Sequence, residues 1–296
     1  MKLGLSLTVF TADPARPLAA ARRAADNGYD AVFASDHLFP PDTPERPSLE
    51  AYMLLSAISA ANRGLGVGVL VTRAGFRPPG ILAKQAAALD QLSGGRSILG
   101  LGLGDASGRA EHRALGLPYP PAAERGEVLE ETASALRALF GGEPWPGGVH
   151  LPPLTGPLLP PGSPSIWIGG TSDRVLGIAA RAADAWNGWG LDVDTFSSRA
   201  ATLASLAMEA HRDPNDVPPT WAGIALVGED AADLRRLEEE RAAKGLSMEI
   251  WRGTVDDLRA LRDAVAAAGV GGAWLVAVAA GPPDRSALIA ATLRAG

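Results

Sequence analysis

The chain has 296 residues, 47% of them hydrophobic, with 27 Lys plus Arg against 33 Asp plus Glu and a net charge of −6. That size fits one large domain, such as an α/β barrel of about 250 residues, or two small ones; the acidic balance disfavours nucleic acid and anionic membrane as partners. The absence of cysteine excludes a disulfide framework, a thiol nucleophile and thiolate metal sites, and suits a reducing cytoplasm.

No run approaches the roughly 18 apolar residues of a membrane span, and the apolar stretch Leu3 to Phe10 reads as a first strand rather than a signal peptide. Short apolar runs lie at Leu3–Thr8, Ala31–Ser35, Leu65–Val71, Ser97–Leu103, Ser165–Ile168, Ala185–Trp189, Trp221–Val227 and Ala273–Ala279. Helical stretches separate them at 15–27, 49–62, 79–92, 124–140, 173–183, 194–211, 230–243, 254–268 and 284–294. In the second, Leu49, Met53, Leu54, Ala57, Ile58 and Ala61 share one face at the helical period. The strands are apolar throughout rather than alternating, as a parallel sheet covered on both faces requires. Strand and helix in turn, repeated eight times, predict a single (β/α)₈ TIM barrel over residues 1–296; a doubly wound open sheet is the rival.

Gly141 to Pro164 breaks the rhythm, with eight Pro, six Gly and Glu143 as its sole charge. It is read as a Pro/Gly-rich insertion (141–164) after the fourth helix, neither helix nor central strand. Trp145, Leu151, Leu154, Leu158 and Leu159 are too apolar for a free linker, so a packed insertion is expected, with a lid over the barrel mouth as the sharper alternative.

In a (β/α)₈ barrel, function gathers at the C-terminal strand ends. The second strand runs into Ser35-Asp36-His37, where the imidazole is suited to general acid–base work; loop capping by Asp36 and His37 is the bland reading. The fourth ends in Gly100-Leu101-Gly102-Leu103-Gly104-Asp105, whose glycines permit close approach of a ring or phosphate, or simply pack the barrel interior. The next segment, Arg109-Ala110-Glu111-His112, lacks the apolar helix start of a dinucleotide fingerprint. The fifth strand ends in Gly169-Gly170-Thr171-Ser172 at a helix start, suited either to a phosphate or to ordinary capping. Trp186 and Trp189 around Asn187 read as core or as walls of a ring pocket. His37, His112, His150 and His211 show no metal-ligand spacing, so no metal is expected.

Taken in order, several segments are recognisable together: Asn27-Gly28-Tyr29-Asp30-Ala31-Val32 leading to Ser35-Asp36-His37, Leu65-Gly66-Val67-Gly68-Val69, Arg77-Pro78-Pro79, Leu89-Asp90-Gln91-Leu92-Ser93-Gly94-Gly95-Arg96, Ile166-Trp167-Ile168-Gly169-Gly170 and Ala180-Arg181-Ala182-Ala183-Asp184-Ala185-Trp186-Asn187. The chain resembles the luciferase-like monooxygenase superfamily, (β/α)₈ oxidoreductases that use FMN or the deazaflavin coenzyme F420. Ser35-Asp36-His37 and Asp105 resemble the F420 branch.

The resemblance implies His37 and Asp105 as catalytic residues managing a proton. It implies Asp36, Gly68, Val69, Leu70, Leu103, Gly104, Gly169, Gly170 and Thr171 around the cofactor, with the phosphate on Gly169–Thr171. It also implies a non-prolyl cis peptide at Gly68–Val69, Trp186 and the insertion as shields, and Arg73, Arg77 or Arg109 for the anionic tail. The expected activity is F420-dependent hydride transfer, chiefly reduction of an unsaturated or imine-type small molecule. An FMN-dependent monooxygenase and a non-catalytic cofactor-binding barrel are the alternatives. A cytoplasmic homodimer is the expected assembly.

Overall fold

The computed structural model describes residues 1–296 apart from 42, 247, 249, 270, 271, 273, 282, 283 and 296. In chain order the elements are β1 (Lys2–Leu7), α1 (Ala15–Asp26), β2 (Ala31–Ala34), α2 (Ala51–Ala61), β3 (Gly66–Arg73), α3 (Pro79–Ser93), β4 (Ser97–Gly102), α4 (Gly108–Ala114) and α5 (Ala122–Phe140). There follow β5 (Ser165–Gly169), α6 (Asp173–Ala182), β6 (Ala185–Trp189), α7 (Val193–Glu209), β7 (Pro219–Gly228), α8 (Ala231–Ala243), β8 (Trp251–Thr254), α9 (Val255–Ala268), β9 (Trp274–Ala279) and α10 (Asp284–Arg294). The expected last strand begins at Ala273, which lies outside the described residues.

The strands pair in the order β6-β5-β4-β3-β2-β1-β9-β7, all parallel, and β6 pairs with β7 to close an eight-stranded barrel. This is a TIM barrel, as the alternation predicts. Helix boundaries follow local chemistry: α3 opens with Pro79 in its first turn, where the missing N–H costs nothing, and stops at Gly94 in the left-handed region (φ 67°).

Two elements depart from the expected series. β8 is a ninth strand, paired only with the far end of β7 from Ala225↔Trp251 to Gly228↔Thr254. α4 stands where no helix is expected, because its seven residues carry no apolar stripe; burial of Gly108, Glu111 and His112 against the barrel holds it instead.

The barrel floor is plugged by aromatic rings. Phe33, Trp167 and Trp274 pack with centroids 5.5–6.0 Å apart, and Lys2 Nζ lies 5.4 Å from the Trp274 ring centroid. A Cβ on Gly4 or Gly68 would come within 2.6 Å of the Phe33 ring, so these two glycines make the room it fills. The opposite end, where β2, β3, β4 and β5 stop side by side, is the mouth.

The insertion runs along the outside of the barrel, where a Cβ on Gly80 at the start of α3 would lie 3.8 Å from Leu154 Cδ2 and His150 Nε2 is 2.8 Å from Glu127 Oε2 on α5. It joins the end of α5 to the start of β5, and therefore leaves from the floor side of the barrel. From there it folds along the outer helices. The Glu131 carboxylate on α5 accepts from the N–H groups of Val149 (2.8 Å), His150 (3.0 Å) and Leu151 (2.9 Å). Ser163 N–H donates to Asp90 on α3 (3.1 Å), Lys84 to the Leu159 carbonyl, and Trp145 pairs with Leu154. It is a packed insertion on the outer helices.

Candidate active site at the barrel mouth

Asp36 and His37 leave β2 together and take different partners. Asp36 is almost fully buried and accepts from Thr72 Oγ1 (2.9 Å) and from both ends of the Arg77 guanidinium, Nη2 reaching Oδ1 at 2.9 Å. Arg77 also reaches Glu50 (2.7 Å), whose carboxylate caps α2 through Met53 N–H (2.7 Å), and lies 4.8 Å from the Tyr52 ring centroid. This network ties β2, β3 and α2 together beneath the mouth. Burial and the neighbouring Asp36 carboxylate push the Tyr52 hydroxyl far above its ordinary pKa, so it stays protonated.

His37 faces α4. Its Nδ1 lies 3.0 Å from Glu111 Oε2, which also receives Arg73 Nη1 at 2.5 Å, while Glu111 Oε1 accepts from Leu38 N–H at 2.6 Å. Glu111 is wholly buried. Burial alone pushes its pKa up, but the bonds from His37 and Arg73 outweigh this and bring it down to about 2. A buried ionised carboxylate is tolerable here because a cation and two further donors meet it.

The His37 ring remains 26% exposed, packed near Phe10 with centroids 5.9 Å apart, and its backbone carbonyl accepts from Ser48 Oγ (3.0 Å). His37 Nε2 makes no hydrogen bond to any described residue and is not among the buried unpartnered atoms. It is therefore the ring nitrogen open to solvent and to any ligand in the mouth.

Asp105 is exposed in the turn after β4, and its Oδ1 accepts from Ser107 N–H (2.9 Å) and Ser107 Oγ (2.5 Å). Partial burial raises its pKa, and the bonds from Ser107 and Gly108 more than reverse this, so it is ionised at neutral pH. The structure pairs His37 with Glu111 rather than with Asp105. Leu103 and Gly104 are held from outside, where Arg125 Nε donates to the Leu103 carbonyl (3.0 Å). Gly104 has φ +76°, and a Cβ there would lie 2.9 Å from Arg73 Cδ.

On β3 the non-prolyl cis peptide is at Leu70–Val71, two residues beyond the expected Gly68–Val69. Gly68 faces Phe33 near the floor, and Val69 is buried among the hydrophobic side chains packed around the barrel. Leu70 and Val71 join the same interior cluster as Phe33, Trp167 and Trp274, further along β3 toward its C-terminal end. A Cβ on Gly102 or Gly169 would come within 2.8 and 2.9 Å of the Val71 methyls, so those glycines make space for this segment of β3. Gly170 has φ +140°, and Ser172 caps α6 by accepting from Val175 N–H (3.4 Å). Thr171 is exposed between them, beside first-turn N–H groups that a helix leaves without helical partners.

Trp186 is not a wall of the mouth: it is fully buried, stacked on Phe196 of α7 at 5.9 Å, with Nε1 donating to the Gly170 carbonyl (2.6 Å). Arg73 and Arg77 are committed to carboxylates, and Arg109 has no ion pair among the described residues. Among the described residues no cluster of His, Cys, Asp or Glu is placed to hold a metal ion, and no helix is long and apolar enough to cross a membrane.

Sequence reasoning missed Glu111 and the part played by Arg73. The only available signal was an acid next to a histidine soon after a glycine turn, without the helix that presents it.

Residues 1–257 match the luciferase-like monooxygenase family, and the chain belongs to that family of oxidoreductases. An uncharacterised protein of Mycobacterium tuberculosis is 31% identical over 244 residues, covering 76% of this chain and 81% of its own. Among solved structures, an F420-dependent secondary alcohol dehydrogenase in complex with an F420–acetone adduct superposes over 99% of both chains, with TM-score 0.82 and 18% identity. EDTA monooxygenase from Chelativorans sp. does so over 99% of this chain and 92% of its own, with TM-score 0.80 and 18% identity. At these identities the likeness establishes the shared barrel.

Proposed function

We propose that the protein is an F420-dependent oxidoreductase that reduces a small organic substrate. The observation that carries this reading is His37: an imidazole at the mouth with Nδ1 committed to ionised Glu111 and Nε2 free. Hydride chemistry needs a positioned ring, a dry pocket and one managed proton, and His37 Nε2 is the group to donate it to the substrate heteroatom. When bound, the deazaflavin supplies the hydride.

The residues fit such a cofactor. Thr171 adds an exposed hydroxyl at the start of α6 beside first-turn N–H groups, and Leu70 and Val71 form an apolar shelf inside the barrel. Asp36 supports β2 through Thr72 and Arg77. Arg109, exposed and 5.9 Å from the Tyr119 ring centroid, is the cation left to meet an anionic tail.

The test is titration of the purified protein with F420 and with FMN, read by fluorescence quenching. Tight F420 binding supports the reading. Tight FMN binding without F420 binding overturns it in favour of an FMN-dependent monooxygenase, and binding of either without turnover leaves a cofactor-binding barrel.

A further inference from the structure

We propose that Glu111 is the positioning residue of this site, holding His37 in the tautomer with the proton on Nδ1 so that Nε2 faces the mouth, while Arg73 balances its charge. The inference rests on the reading of His37 as the proton-handling group.

The donors around one carboxylate decide the tautomer. Glu111 is ionised and therefore only accepts hydrogen bonds. Leu38 N–H occupies Oε1, and Arg73 Nη1 shares Oε2 with His37 Nδ1 at 3.0 Å. A lone-pair nitrogen so close to a carboxylate oxygen would be repelled, so Nδ1 carries the hydrogen. In the neutral ring Nε2 then has the lone pair, and in the imidazolium it has the proton to give.

Arg73 sets how strongly Glu111 acts. Arg73 meets the charge of the buried Glu111 carboxylate at the same oxygen that His37 Nδ1 touches. Arg73 is 6% exposed, stacked over Phe76 at 4.6 Å, and its Nε and Nη2 have no partner among the described residues. Its charge is therefore little screened and directed chiefly at Glu111. The groups facing His37 are Glu111 from α4, Arg73 from β3 behind it, Asp105 from the turn after β4, and the uncharged Phe10 ring beyond β1. The adjacent Asp36 is turned away, neutralised by Arg77.

Glu111→Gln keeps an acceptor for Nδ1–H and should leave the hydrogen on Nδ1, whereas Glu111→Leu removes the acceptor and should let the ring go over to the Nε2–H form that a free imidazole prefers. A role in stability alone would not change which ring nitrogen carries the hydrogen.

The experiment is nitrogen-15 NMR of the histidine rings in the cofactor-free protein across pH, with His37 assigned by loss of its signals in His37→Asn. The expected wild-type spectrum at high pH reports hydrogen on Nδ1 of His37. A ring with its hydrogen on Nε2 overturns the proposal without any need for variants, as does a ring in Glu111→Leu that still carries its hydrogen on Nδ1. Because no cofactor is present, an Nδ1–H ring in a protein that binds neither F420 nor FMN would sink the functional reading and leave this inference standing. An Nε2–H ring in a protein that binds F420 would do the reverse.

Discussion

Asp36 and His37 are neighbours in the chain whose side chains pair into separate networks: Asp36 with Arg77, 41 residues on, and His37 with Glu111, 74 residues on. The first network braces strands below the mouth, and the second prepares one ring nitrogen within it. Substitutions at the two positions should therefore differ in kind.

Replacing His37 by alanine removes the proton-handling group without disturbing the strand bracing. Turnover should fall by roughly 10²-fold, with cofactor affinity little changed. Steady-state kinetics paired with a binding titration checks this; near-normal turnover would take His37 out of the mechanism.

Asp36→Ala should instead act on stability. Arg77 would keep Glu50 but lose the partner it meets at both ends of its guanidinium, and breaking such a buried pair costs about 3 kcal/mol. Thermal unfolding should shift down by about 5 °C for a domain of this size. A melting temperature equal to that of the wild type would show that the Arg77 pair contributes nothing net.

Acid should undo the Glu111 cluster. Its carboxyl is held at about 2 in the folded chain against an ordinary 4.5. The folded form therefore binds the proton less readily than the unfolded chain does. The stabilisation is complete above about pH 4.5 and is lost as pH falls towards 2, on the order of 3 kcal/mol in all. Urea unfolding at a series of pH values should show a steeper acid loss in the wild type than in Glu111→Gln. Parallel curves would mean that the pair with Arg73 does not govern acid stability.

The insertion offers a separate test, because it packs on the outer faces of α5 and α3. Glu131→Ala removes the acceptor shared by the N–H groups of Val149, His150 and Leu151. Amide exchange at these positions should quicken by about tenfold, as expected for losing one or two hydrogen bonds of about 1 kcal/mol each. Turnover and KM should stay as they are. A change in KM would place this segment over the site.

The barrel and its strand ends were legible because apolar runs and helical periods are local patterns. α4 was not: Gly108-Arg109-Ala110-Glu111-His112-Arg113-Ala114 has no apolar stripe, and its helix exists through contacts with Arg73 and His37 far off in sequence. β8 escaped notice for a similar reason, since Trp251-Arg252-Gly253-Thr254 is four residues long, carries a charge, and is a strand only because β7 outruns the barrel. The position of the insertion is dictated by connectivity alone, as every helix-to-strand link in this fold lies at the floor. The candidate residues on β2, β4 and β5 were found by the strand-end rule, whereas their pairings depend on side-chain direction, which spacing does not encode.

α4 is a seven-residue graft in the turn after β4 and belongs to none of the eight βα repeats. The acid beside His37 thus sits on a loop element separate from the strand that leads to the histidine. A single exchange of this loop would swap Glu111 for another residue while leaving every strand register intact. The acid–histidine pairing at the mouth can therefore be altered through one loop while the strands that frame it stay in place.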